Sequence, residues 1–151
     1  MLYFEDIHLN QPRHSEATYT LTADDIKQFA TQWDPMPFHL DEDIAALSPI
    51  GKLFASGAHS ICIGIRLSHT MMEKDLAVIA GLGWNDVRFP SPLCVGDVLR
   101  MKSEVIEKRV SQSKPDRGII VSLNTLINQD DQVVTEYKIS TLMLRKPEAA
   151  Q

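Results

Sequence analysis

Two side chains that could exchange protons lie close together in a segment that also contains two prolines. The segment reads Asp34-Pro35-Met36-Pro37-Phe38-His39, which places a carboxylate and an imidazole five positions apart on a restricted backbone. Rigid placement of an acid and a base is what proton-transfer chemistry requires. A simpler interpretation is that the prolines end a helix, Asp34 accepts hydrogen bonds from local amides, and His39 is a solvated loop residue.

A second group of residues opens an apolar stretch and reads Ala55-Ser56-Gly57-Ala58-His59. Ser56 is a natural helix N-cap, and the first turn of a helix offers unpaired amides and the positive end of the helix dipole. Because a glycine lets a ligand oxygen approach the backbone closely, Gly57 is a candidate for an oxyanion hole. The simpler interpretation is capping by Ser56, close packing at Gly57, and a core or interface side chain at His59.

Other kinds of site find little support in the sequence. His8, His14 and His69 lack metal-like partners at a useful spacing, so no metal site is predicted. There is no Gly-x-Ser-x-Gly elbow, phosphate-binding glycine loop or dinucleotide fingerprint. Cys62 and Cys94 each lie in an apolar stretch, and both are predicted to be reduced core thiols.

Composition and charge narrow the class of protein further. The chain has 151 residues, of which 44% are hydrophobic and 23% charged, and this fits one ordinary globular domain. A formal net charge of -5, without a long run of Lys or Arg, argues against nucleic-acid binding. The sequence shows neither a secretory signal pattern nor an apolar segment of membrane-spanning length, so we expect a cytoplasmic protein with no membrane partner.

The elements that must position the candidate residues follow from hydrophobic periodicity. Thr18 to Thr22 is predicted as a short strand, and a capping box of Thr22 and Asp25 opens an amphipathic helix that runs to about Trp33. Because two residues of the next segment precede prolines, residues 34–39 are predicted to form a stiff extended loop. One or two helical turns at 41–47 and a turn at 48–51 are predicted to follow.

The second half of the chain combines one long helix with a sheet. Residues 56–72 are apolar over most of the helical circumference, which indicates a largely buried helix. The period then changes to two, and strands are predicted at 76–89, 98–108, 118–127 and 133–144, with a hairpin turn at 128–131 and a proline-bounded turn at 90–97. This order predicts an α+β fold in which an antiparallel β-sheet is wrapped around one long central helix.

Together, these residues resemble the motifs of the MaoC-like dehydratases, the family that includes the (R)-specific enoyl-CoA hydratases. The hydratase motif of that family runs Asp-x-Asn-Pro-x-His, followed later by a glycine at the start of the central helix. Asp34, Pro37, His39 and Gly57 fall in those places. The passage from Phe89-Pro90 to Gly96-Asp97 is similar to the Arg-Pro-x-x-x-Gly-Asp passage that many members carry.

The resemblance implies the hot-dog fold, a long helix wrapped by an antiparallel sheet, as a single domain over residues 1–147. The tail at 148–151 is expected to be frayed. Two departures from the family pattern bear on substrate identity. Met36 stands where the hydratase motif has Asn, and Ser56 stands where many members have His.

The resemblance also implies an activity. This is reversible hydration of an enoyl thioester to a 3-hydroxyacyl thioester, with coenzyme A as part of the substrate and no other cofactor. Asp34 and His39 would hold and deprotonate the water that attacks C3, with a proton delivered to C2. The amide of Gly57 would stabilise the charge that develops on the thioester oxygen. The further residues that we expect near the substrate are Ser56, His59, Pro37 and Phe38.

Hot-dog domains usually pair so that two sheets become continuous, with the acyl tunnel at the boundary between protomers. The resemblance therefore implies a homodimer or a higher assembly of dimers. Two alternative functions stay open: a hot-dog thioesterase, which directs water to the thioester carbonyl, and a non-catalytic module that binds acyl thioesters. The candidates for contacting the nucleotide end of coenzyme A are Arg66, Arg88, Lys114 and Arg117.

Overall fold

The computed structural model describes residues 1–71 and 75–147. Its helices are α1 (Ala23–Trp33), α2 (Pro37–Leu40), α3 (Glu42–Leu47) and α4 (Gly57–Ser68). Its strands are β1 (Arg13–His14), β2 (Tyr19–Thr20), β3 (Val78–Arg88), β4 (Val98–Val110), β5 (Arg117–Ile127) and β6 (Val133–Leu144). Short 3-10 turns lie at Phe4–Asp6 and His69–Met71. The predicted helix end at Met72 and the predicted tail at 148–151 lie outside the described residues.

The capping box predicted at the start of α1 is confirmed. The Thr22 hydroxyl accepts a hydrogen bond from the Asp25 amide at 3.1 Å, and the Asp25 carboxylate accepts one from the Thr22 amide at 3.2 Å. These two bonds satisfy amides that the first helical turn would otherwise leave unpaired. The helix ends at Trp33, immediately before Asp34 and Pro35, as the proline predicted.

The segment between α1 and α3 differs from the prediction. An extended loop was expected over residues 34–39, but Pro37 to Leu40 forms one turn of helix with the proline at its first position. Proline suits that position because its missing amide needs no partner there and its fixed φ matches the helix. His39 therefore projects from a short helix, and the predicted helical segment α3 follows at once with Asp41 as its N-cap.

Helix α4 packs against β4, β5 and β6, and six of its 12 residues are buried. At its first turns the Thr135 hydroxyl of β6 donates a hydrogen bond to the Ser60 hydroxyl at 2.7 Å. Farther along, the Tyr137 hydroxyl and the Met101 sulfur approach the helix at Gly64. The helix is nevertheless not buried all round, because Cys62 is exposed, and the prediction of a core thiol is wrong there and right for Cys94.

The sheet follows the order β1-β4-β5-β6-β3, with β2 also paired to β4, and every strand pairing is antiparallel. The four predicted long strands and the hairpin turn between β5 and β6 are confirmed, with ends that shift by a few residues. The predicted α+β fold, an antiparallel sheet around one long helix, is therefore confirmed. Strand β3 lies at one edge of the sheet, and all 11 of its residues are exposed.

Candidate active site

The Asp34 and His39 side chains meet beside the first turn of α4. His39 is buried, and its Nδ1 lies 2.7 Å from the carbonyl oxygen of Phe54. A carbonyl only accepts hydrogen bonds, so we assign the proton of the neutral imidazole to Nδ1. This leaves Nε2 as an acceptor, 3.7 Å from Oδ2 of Asp34.

The gap between Nε2 and the carboxylate has a chemical consequence. With both atoms acting as acceptors, no direct hydrogen bond joins them while the imidazole is neutral. A single water molecule can donate one hydrogen to each of them, because both are within reach of one oxygen. The dyad of Asp34 and His39 is therefore arranged to hold and polarise a water molecule.

Aromatic packing fixes the orientation of the His39 ring. Phe38 and Phe54 stack on each other with centroids 5.3 Å apart, and each meets the imidazole edge-to-face, at 4.6 Å and 4.8 Å respectively. The Asp34 side chain, by contrast, is 41% exposed. The pair thus combines a rigid, buried imidazole with a carboxylate that stays in contact with solvent.

The first turn of α4 borders the same space as His39. The Ser56 hydroxyl caps the helix by accepting a hydrogen bond from the His59 amide at 3.2 Å. Gly57 is the first residue of α4, so its amide has no intrahelical acceptor and lies at the positive end of the helix dipole. An anionic or polarised oxygen next to Gly57 would find a ready donor there.

A cavity of about 340 Å³ joins these groups. The residues that line it come from α2, the start of α4, the segments before α4 and after β3, and the beginning of β6. They are His39, Ile50, Phe54, Ala55, Ser56, Gly57, Ser60, Phe89, Pro90, Ser91, Pro92, Leu93 and Val134. The Phe89 ring lies directly over Gly57, so that a Cβ added to that glycine would come within 2.5 Å of it. We call this space the dyad cavity.

A family model for the MaoC like domain matches residues 6–124, which is most of the chain and includes Asp34, His39 and Gly57. The chain belongs to the MaoC-like dehydratase family. The family that the sequence motifs indicated is therefore confirmed, and the fold is the hot-dog fold of that family.

Relatives among known proteins agree with this assignment. The chain is 30% identical to an uncharacterised Bacillus subtilis protein, YdeM, over 83% of this chain and 87% of that one. It is 33% identical to 3-hydroxyacyl-thioester dehydratase Z of Mycobacterium tuberculosis, over 58% of this chain and 59% of the dehydratase.

Solved structures show the same fold. A MaoC-like dehydratase from Rhodospirillum rubrum superposes with a TM-score of 0.89 at 35% identity, covering 97% of this chain and 99% of that one. A Mycobacterium tuberculosis protein described as having a double hotdog fold superposes with a TM-score of 0.80 at 23% identity, covering 99% of this chain and 46% of its own.

The structure brings some of the predicted site residues together and separates others. His39, Ser56 and Gly57 line the dyad cavity, and Asp34 stands beside His39. Three further residues that were expected near the substrate do not line it: Pro37, Phe38 and His59. Pro37 is exposed at the start of α2, whereas Phe38 packs behind the imidazole of His39.

His59 faces away from the dyad cavity. Its ring stacks on Phe29 of α1, with centroids 4.4 Å apart, and its Nδ1 is buried without a hydrogen-bond partner among the described residues. Burial lowers the pKa of this imidazole below its usual range, although the nearby Asp25 carboxylate acts in the opposite direction. His59 is therefore placed to join α4 to α1 as a neutral side chain.

Two contributors to the site were not predicted as site residues from the sequence. Phe54 acts through its backbone carbonyl, which any residue could supply. Residues 89–93 supply one wall of the dyad cavity, although Phe89 was predicted only as the end of a strand and residues 90–93 only as part of a turn. The turn itself is confirmed, with Gly96 at φ 89° and the Asp97 carboxylate accepting a hydrogen bond from the Cys94 amide at 2.8 Å.

Some other chemistries are not supported by the described residues. Within 1–71 and 75–147, His, Cys, Asp and Glu side chains form no cluster of three that could hold a metal ion. No helix in those ranges is both long enough and apolar enough to span a membrane.

The tautomer of His39 is open to direct measurement. At pH 8, nitrogen-15 NMR of the imidazoles should show His39 with its proton on Nδ1, because the Phe54 carbonyl accepts a hydrogen bond from that N–H group. The spectrum of a His39→Gln variant would assign the resonances by their disappearance. A proton found on Nε2 would contradict the arrangement described for the dyad.

Proposed function

We propose that the protein is a hydratase/dehydratase that interconverts a 2-enoyl thioester and a 3-hydroxyacyl thioester, with coenzyme A as the thiol. The observation that carries the proposal is that His39, whose Nε2 lies 3.7 Å from Oδ2 of Asp34, lines the same cavity as Gly57 at the start of α4. Water activation and anion stabilisation are the two tasks that this reaction sets.

In the hydration direction, the dyad holds water between the carboxylate of Asp34 and Nε2 of His39. The water oxygen forms a bond to C3 as the dyad removes one of its protons, and the electrons of the C2–C3 double bond move toward the thioester. The dyad then delivers a proton to C2, which restores the carbonyl group. One proton is taken and one is returned, so the pair finishes in its starting protonation state.

The intermediate of this reaction carries negative charge on the thioester oxygen. Gly57, the first residue of α4, lines the dyad cavity, and its amide together with the dipole of α4 would stabilise that charge. Removing one donor of this kind typically costs about 3–4 kcal/mol of transition-state stabilisation. The helix start therefore serves the same reaction as the dyad.

The relatives support the choice of substrate class. The Mycobacterium tuberculosis relative is named as a dehydratase of 3-hydroxyacyl thioesters, and the MaoC-like family match spans the residues of the dyad and the helix start. In this protein we assign the corresponding chemistry to Asp34 and His39. No cofactor besides the coenzyme A of the substrate is needed, because both proton transfers use protein side chains.

We further infer that two copies of the chain pair through β3. This edge strand has 11 exposed residues, and large apolar side chains stand among them, including Val78, Leu82 and Trp84. An exposed apolar edge with free backbone donors and acceptors favours strand addition by another chain. A second copy pairing antiparallel through β3 would make the two sheets continuous.

The first prediction concerns the dyad. Asp34→Asn and His39→Ala should each lower turnover of 2-enoyl-CoA substrates by at least about a hundredfold, because each removes a proton acceptor from the water site. Turnover is followed as loss of the enoyl absorbance, and circular dichroism checks the fold. Asp43→Asn removes an exposed carboxylate of α3 and should have no effect.

The outcomes of this assay separate the proposal from its alternatives. Wild-type rates in either dyad variant would remove that residue from the mechanism. Release of free thiol with no change at the double bond would identify a thioesterase. Binding of acyl-CoA without turnover of any substrate in the panel would identify a binding module.

The second prediction concerns the space over Gly57. Gly57→Ala keeps the amide but places a Cβ within 2.5 Å of the Phe89 ring, so either the ring or the helix start must move. We expect kcat/KM to fall by roughly 10- to 100-fold, the scale of a misplaced catalytic group. Adding Phe89→Ala to this variant should restore much of the loss, since the added methyl then has room. A double variant no more active than Gly57→Ala would contradict this explanation.

The third prediction concerns the β3 edge. Leu82→Lys should shift the protein from dimer to monomer in analytical ultracentrifugation, because it places a charge in an apolar strand pairing. Val110→Lys is the matched control, since Val110 is similarly exposed but lies at the far end of β4. A wild-type protein that is monomeric at micromolar concentration, or a dimer that tolerates Leu82→Lys, would count against pairing through β3.

A further inference from the structure

A second cavity, larger than the dyad cavity, lies at the opposite end of α4. Its volume is about 480 Å³, and it extends from the last turns of α4 across the concave faces of β4, β5 and β6. Apolar side chains form much of its wall, including Ile65 of α4 and Val78 of β3. A space of this size and composition is suited to a small organic ligand.

The floor of the second cavity is unusually polar. Ser103, Asn124 and Tyr137 lie directly opposite one another across β4, β5 and β6, and Ser122 occupies the neighbouring row between Val105 and Ile139. We call Ser103, Ser122, Asn124 and Tyr137 the polar floor. All four line the cavity, and Asn124, Ser122 and Tyr137 are only 6%, 9% and 2% exposed.

The polar floor lacks partners within the protein. Within residues 1–71 and 75–147, the side chains of the polar floor form no hydrogen bond with another protein group. By contrast, the Thr135 hydroxyl, in the preceding row of the sheet, donates a hydrogen bond to Ser60 of α4. In the same ranges, the one side-chain nitrogen or oxygen that is fully buried without a hydrogen-bond partner is Nδ1 of His59, so the unpaired polar atoms of the polar floor are not fully buried. The amide of Asn124 must therefore reach the cavity, where it offers two donors and an acceptor to a ligand.

The two ends of strand β3 lie near the two cavities. Val78, at one end of β3, lines the second cavity, whereas Phe89, just beyond the other end, lines the dyad cavity. When two copies pair antiparallel through β3, the beginning of the strand in one copy lies beside its end in the other. The second cavity of each copy is thereby brought next to the dyad cavity of its partner.

We propose that the second cavity holds the acyl chain of a substrate bound at the partner's dyad, and that Asn124 and Ser122 select acyl chains bearing a hydroxyl group. This inference rests on the proposed hydratase function and on the β3 pairing. A plain hydrocarbon chain would bury the polar floor without supplying hydrogen bonds, and a site built for a polar group discriminates against a ligand that lacks it.

The charge around the cavity indicates that the selected group is neutral. The polar floor contains no ionised side chain, and burial raises the pKa of Tyr137 to about 12, so that its hydroxyl stays protonated. The charged or titratable residues at the cavity are Asp6, His8, Arg13 and His69. Three of these, His8, Arg13 and His69, are exposed, and Asp6 pairs with Lys146 at 2.5 Å. An ionised group on the floor would lose its hydration without gaining a counter-ion.

Binding of non-reacting thioesters tests the selectivity apart from catalysis. Hexanoyl-CoA is compared by calorimetry with its 4-, 5- and 6-hydroxy derivatives, none of which has a double bond to hydrate. At least one hydroxylated thioester should bind roughly tenfold more tightly than hexanoyl-CoA, the scale of one added hydrogen bond. Asn124→Leu and Ser122→Ala should each reduce that preference, whereas Gln112→Leu, in the exposed β4–β5 turn, should not.

The results of this comparison are decisive in both directions. Equal or weaker binding of all three hydroxylated thioesters overturns the inference, even if the protein hydrates enoyl-CoA. A hydroxyl preference that both cavity variants retain overturns the assignment to the polar floor. If the protein prefers hydroxylated thioesters but hydrates no enoyl-CoA, the result supports hydroxyl recognition by the polar floor and contradicts the hydratase proposal.

Mixed dimers test whether each substrate site combines the dyad of one copy with the second cavity of the other. Asp34→Asn and Asn124→Leu subunits carrying different tags are co-expressed, and the heterodimer is isolated by two affinity steps. If each site is shared between copies, one of the two sites in the heterodimer combines an intact dyad with an intact second cavity. The heterodimer should then regain the wild-type kcat/KM ratio between hydroxylated and plain 2-hexenoyl-CoA. A ratio equal to that of the Asn124→Leu homodimer would place both parts in one copy and overturn the shared site.

Discussion

The hydrogen bond from His39 Nδ1 to the Phe54 carbonyl is the interaction on which the arrangement of the site depends. It fixes the tautomer of the imidazole and aims Nε2 at Asp34. Phe54 is itself held in place, because Ala55 and Val95 donate backbone hydrogen bonds that tie residues 53–55 to residues 93–95. The same segment continues into Ser56 and α4, so a single short stretch of chain positions the imidazole of His39, one wall of the cavity and the start of the helix.

Much of the fold could be predicted from the sequence because its signals are local. The Thr22–Asp25 capping box, the proline that ends α1 and the alternation of the long strands each act over a few residues. The same reasoning failed where two local rules competed. Pro35 and Pro37 disfavour a helix before them, but Pro37 itself is well suited to begin one, and the second effect decided the conformation around His39.

The candidate site was only partly predictable, because much of it is made by contacts between distant segments. Asp34, His39 and Gly57 stand out by residue type and spacing, yet the carbonyl of Phe54 and the ring of Phe89 have no such signature. His59 shows the opposite problem. Its place near the helix start made it a candidate, but a helix turns by about 100° per residue, and its ring faces Phe29 on α1.

The edge strand β3 links the two cavities. Its pairing with β6 contains three register shifts, and Asp86 adopts a positive φ of 51° while its carboxylate contacts Lys138 at 2.8 Å. Such irregularities bend and twist a strand, and therefore set the direction in which its two ends leave the sheet. One end carries Phe89 over Gly57, and the other carries Val78 into the second cavity. A change in the shape of β3 would alter both cavities together, so the proposed pairing and the proposed substrate selectivity depend on the same strand.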